Sequence, residues 1–160
     1  MRSIVAIGIF FLCVTACNKK KTNTPASNTG TSIPHTNVMT LKLNGLAWQA
    51  HPEGYSISKS TVFNFSGQNN PGSPFSSVAF AFPLTTTVGV NNFGSAGTVT
   101  GKFKDSLGLY FTAKSGTLNI TELDTFSYGP KKLKGTFSFV TDTVGGKTYT
   151  VSSGFVDFKL

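Results

Sequence analysis

Cysteine is almost missing from this 160-residue chain: there are two, at positions 13 and 17, and none after that. From residue 18 onward, disulfides, thiolate zinc sites and cysteine nucleophiles are therefore excluded. Charge is sparse too, at 12% of residues, and acid especially so, with six Asp and Glu against fourteen Lys and Arg. A chain with six carboxylates and two histidines has few ways to assemble an acid–base site. No apolar run reaches the roughly 20 residues that span a bilayer as a helix. The longest, from Ile4 to Val14, stops at about half of that. What is abundant is Ser and Thr, about a quarter of the chain, together with 15 Phe and 17 Gly. This composition favours strands and turns over long helices.

The first segment has the layout of a secretory signal: a cation at Arg2, the apolar run, then small residues. Its end, Val14-Thr15-Ala16-Cys17, resembles the lipobox of bacterial lipoproteins. The resemblance implies cleavage before Cys17, so that residues 1–16 are a signal peptide and Cys17 carries a diacylglyceryl group and palmitate-like acyl chains. Two or three such chains, at roughly 0.8 kcal/mol per buried CH₂, hold a protein on a membrane stably. Cys17 is then an anchor and not a catalyst. Residues 17–38 continue with a polar stretch carrying Pro25, Gly30 and Pro34, whose composition predicts a flexible tether. Lys19, Lys20 and Lys21 follow the lipid directly, where cations meet anionic headgroups. In some Bacteroidota lipoproteins an acidic run there directs export to the cell surface. A basic run favours a periplasm-facing protein of the outer membrane or wider cell envelope.

Residues 39–160 read as a single domain in which apolar side chains recur at every second position. Met39, Leu41 and Leu43 alternate up to Asn44-Gly45, and Leu46 and Trp48 alternate after it, which is the signature of a hairpin with a type I′ turn. Similar alternation marks Tyr55 to Phe65, Val78 to Phe82, Leu107 to Phe111, Leu118 to Ile120 and Leu133 to Phe139. Gln68 to Pro74 reads as a loop and Gly145-Gly146 as a turn. A phase change at Ser152-Ser153-Gly154 predicts a bulge. Eight to ten short strands predict an all-β fold, an antiparallel β-sandwich, with a lipocalin-like up-and-down barrel as the alternative.

The domain resembles an uncharacterised group of Bacteroidota lipoproteins. The likeness rests on Leu41 to Trp48, with its Asn-Gly turn and Trp, on Gly116 to Glu122, Gly135 to Phe139, and the closing strand Gly154 to Leu160. It implies a fold and a compartment but no activity.

Candidate chemistry is thin. Glu122 and Asp124, two apart at a strand end that leads into a loop from Thr125 to Pro130, are the one pair of acids placed to share a face, as a glycan hydrolase would need. A Ser-His-Asp triad would have to use His51, and no Ser sits in a nucleophile elbow. Gly94 to Gly97 lacks the Lys-Ser/Thr and the helix of a phosphate loop. From Met39 on there are ten Lys and six acids, mostly scattered, with no recognition helix, so nucleic acid is not an expected partner. The aromatics least explained by packing are Phe126 and Tyr128, beside Lys131 and Lys132. The expectation is a lipid-anchored, non-enzymatic binding module whose ligand meets Phe126, Tyr128, Lys131 and Lys132, without cofactor or metal. An envelope glycan hydrolase and a barrel carrying an apolar ligand are the alternatives.

Overall fold

The computed structural model describes residues 36–160 apart from Ala96 and Tyr128, so the signal, Cys17 and nearly all of the tether lie outside the described residues. Ten strands follow one another: β1 Val38–Leu43, β2 Leu46–Gln49, β3 Tyr55–Lys59, β4 Val62–Gln68, β5 Ser77–Pro83, β6 Gly89–Phe93, β7 Thr100–Lys104, β8 Tyr110–Phe126, β9 Gly129–Thr141 and β10 Thr150–Lys159. Among the described residues there is no helix. All strand pairs are antiparallel, in the order β2-β1-β10-β9-β8-β7-β5-β4-β3, with β6 paired to β8. The fold is all-β, as its alternation and turns predict: one antiparallel sheet curls into a half-barrel and faces itself across a core.

Strand β8 makes the curl. Its first residues, Tyr110 to Thr112, pair with β7, and from Ala113 onward it pairs with β9 instead. The register slips between Ala113 and Ser115, where an extra residue bends and twists a strand. Gly116 just beyond has φ of 138°, and a Cβ there would stand 2.2 Å from the Ser138 carbonyl oxygen. Only glycine admits so close a crossing.

Phenylalanine fills the space between the two halves, and ten of the thirteen among the described residues are buried. Phe65 of β4 meets Phe158 of β10 at 5.0 Å between ring centres, Phe80 of β5 meets Phe137 of β9 at 4.8 Å, and Phe93 meets Phe139 at 5.3 Å. Each such pair adds about 0.5–1.5 kcal/mol beyond the area it buries. A second knot, Phe103, Phe111 and Tyr149, closes the end near the β7–β8 turn.

The first hairpin has its expected register, Leu43 opposite Leu46 and Leu41 opposite Trp48. The indole is buried and donates to Ser76 Oγ at 2.8 Å. The bulge in β10 is present too: register shifts between Val151 and Gly154, and Ser153 takes φ of 50°. Two expectations are corrected. Leu107 and Leu109 are not strand residues but form the exposed β7–β8 turn, because Asp105 folds that segment back on itself. Thr125 to Pro130 is not a loop. Strand pairing runs to Phe126 opposite Gly129.

Candidate functional site

The predicted aromatic–lysine site divides on the framework. Phe126 ends β8, 37% exposed, and Tyr128 lies outside the described residues. Lys131 and Lys132 are neighbours on β9, and successive side chains on a strand point to opposite faces. Lys131 follows the face of buried Leu133, whereas Lys132 lies on the outer one with Lys134. The two lysines therefore lie on opposite faces of the strand.

Lys132 is engaged elsewhere. It forms an ion pair with Glu122, and Lys134 reaches Glu122 at 3.8 Å and Asp157 at 3.3 Å. The register explains this: Glu122 stands opposite Lys134, Asp124 opposite Lys132, and Asp157 opposite Lys134. Opposite charges placed directly across from one another stabilise a sheet face. Hydrogen bonding to Lys132 holds the Glu122 carboxyl below its usual range, and the same bond holds the Lys132 ammonium above its own. A general acid needs its pKa raised, so Glu122 is tuned the wrong way for that role.

A different cluster, which alternation alone does not reveal, gathers at the β7–β8 turn. Lys104 pairs with Ser77 on one side and Tyr110 on the other, and so stands between aromatic rings. Its ammonium is 4.1 Å from the ring centre of Phe75 and 5.8 Å from that of Tyr110, within the range of cation–π attraction. Tyr110 is 63% exposed, and at the apex Leu107 is 75% exposed. The turn is built by Asp105, whose Oδ1 accepts the Leu107 and Leu109 backbone N–H groups at 3.0 and 2.9 Å. That carboxylate is 5% exposed, and its Oδ2 has no hydrogen-bond partner. Two spacings were available as signals: the Asp-x-Leu-Gly turn chemistry, and the Phe75 two residues before β5.

The outer face of β3, β4, β5 and β7 carries a depression of about 160 Å³, with Ala79 and Ala81 on its floor and Ser56, Ser58, Asn64, Ser66, Thr100 and Lys102 around them. It contains hydroxyls, an amide and one ammonium, but no carboxylate or imidazole. Inside the curl, Tyr55 stacks on Phe65 at 5.9 Å, and its hydroxyl is buried without a hydrogen bond of good geometry. Burial pushes that phenol up to about 12, a shift the Met39 backbone opposes only in part. Among the described residues no group of three or more His, Cys, Asp and Glu is placed to hold a metal. The chain matches no protein-family model, and no similar protein was found among the curated proteins or the solved structures.

Proposed function

We propose that this chain is a lipid-anchored lipoprotein of the cell envelope, facing the periplasm, whose β domain binds a ligand or partner and does not catalyse. The anchor is Cys17, read from the segment Val14 to Cys17. The observation that carries the binding reading is the division of polar groups over the domain. The depression on β3, β4, β5 and β7 has donors and acceptors but no acid or base, while Glu122 of the candidate acid pair is committed to lysines. Binding at the surface also agrees with an interior filled by phenylalanine rings, which a carrier of an apolar ligand would need to leave open.

Incubation with purified cell-wall glycan tests this reading. Wild type is expected to be retained without releasing new reducing ends, and Ala79→Trp, which fills the depression, is expected to lose retention. The double variant Glu122→Gln, Asp124→Asn is expected to be retained as wild type is. Release of reducing ends by wild type that disappears in the double variant would establish a hydrolase instead.

A further inference from the structure

We infer that the β7–β8 turn is a second membrane contact, which lays the domain against an anionic bilayer. The inference rests on the lipid-anchor reading for its compartment but on different residues for its evidence. The order of side chains along the hairpin matches the layers of a bilayer. Leu107 stands at the apex with Leu109 beside it, both in open solvent to the extent of 75% and 39%. Tyr110 and Lys104 form the first cross-strand pair behind them, and Lys102 with Thr112 forms the next but one. At roughly 3.3 Å per residue, Lys102 follows Lys104 by about 7 Å. Apolar side chains enter the acyl boundary, a tyrosine prefers the interface, and lysines prefer anionic headgroups.

The acids near this hairpin do not spoil that order. Asp105, in the turn itself, is folded inward onto two backbone N–H groups. Asp142 Oδ1 accepts the Thr112 N–H at 2.8 Å. Glu53, an exposed acid, lies in the turn from His51 to Gly54, which bonds to Gln68, and Gln68 is separated from Lys104 by Ser77, two strand spacings or roughly 10 Å. The lysines held immediately behind the leucine apex specify an anionic surface rather than a neutral one.

The test uses the full chain carrying Leu107→Trp in vesicles of phosphatidylglycerol and phosphatidylcholine with brominated acyl chains. Trp48 is buried and hydrogen-bonded to Ser76, so it provides a background that bromine in the bilayer does not reach. The new indole at position 107 is expected to shift to shorter wavelength and to be quenched several-fold. The quenching should fall when phosphatidylglycerol is omitted, or when Lys102→Glu and Lys104→Glu are added. Leu109→Trp, at the base of the turn, should show the same pattern and guards against a fault of the first variant. Flotation of the chain with the vesicles reports the acyl anchor separately. Flotation with unquenched indoles at both positions overturns the turn contact and leaves the anchor standing. Quenching that persists in Cys17→Ser, with the acyl mass absent from both chains, supports the turn contact and overturns the anchor. Quenching that is equal in neutral and anionic vesicles overturns the charge argument and with it the proposal.

Discussion

Two parts of the surface use the same residue types to opposite effect. On β8, β9 and β10, Glu122, Asp157, Lys132 and Lys134 face outward and neutralise one another. At the β7–β8 turn the acid is turned inward, and Lys104 and the leucines are left facing out. What separates the two is where each acid finds its donors: side-chain ammonium groups in one case, backbone amides in the other. The lesson is that counting charges in a segment says little about what that segment offers a partner. A neutralised checkerboard is a finished surface, whereas a turn whose acid is consumed internally is an unfinished one.

The largest effect should come from beneath the turn. Phe103 is buried against Phe111 and Tyr149, so Phe103→Ala is expected to cost about 3–5 kcal/mol. A lower denaturant midpoint with an unchanged slope would show it. Leu133→Ala, beneath the checkerboard, should cost about 2–5 kcal/mol, since the two surfaces stand on the same kind of floor. By contrast Leu107→Ala should alter stability by less than about 0.5 kcal/mol, because an exposed apex side chain is not what holds the turn.

Asp105 is the next lever. Asp105→Ala orphans two backbone N–H groups and is expected to cost about 1–3 kcal/mol. Asp105→Asn keeps an oxygen acceptor and should cost less, so the ordering of the two variants in thermal unfolding isolates the turn. Tyr55→Phe should go the other way, gaining about 1 kcal/mol, because it deletes a buried hydroxyl that has no hydrogen bond of good geometry. The same group gives an alkaline signature. Its phenol is raised to about 12 when folded, against an ordinary value near 10. Its contribution to stability is therefore whole below pH 10 and is lost as the pH rises towards 12. Unfolding monitored across that window should show the decline in wild type and a weaker one in Tyr55→Phe.

The smallest effect belongs to the checkerboard. Glu122 is held low by Lys132, so what it contributes is present above the ordinary carboxylate pKa and fades as the pH falls through its folded value. Lys132 is held high, so its share is present below the ordinary lysine range and fades as the pH rises through its own folded value. A double-mutant cycle on Glu122→Gln and Lys132→Met should find a weak coupling that added salt removes.

Much of this fold was legible in the sequence, for reasons that differ from place to place. Asn44-Gly45 between alternating runs set a hairpin register, because only a tight turn keeps Leu41 opposite Trp48. The bulge at Ser153 was legible as a change of phase. Leu107 and Leu109 misled because alternation continues through a turn when a buried acid shapes it, and no pattern of apolar spacing reports where an Asp points. The candidate site was less legible. Lys131 and Lys132 look like one patch in a string of residues but point to opposite faces in a strand. Phe75 joins Lys104 and Tyr110 only through strand pairing, across a gap in the chain that no local motif bridges.

The most direct test of the account is the intact mass of the protein taken from the membrane fraction, beside a Cys17→Ser variant. The account predicts a chain beginning at Cys17 and carrying two or three acyl chains, with that added mass missing from the variant. A soluble chain of unmodified mass, identical in behaviour to Cys17→Ser, would contradict it.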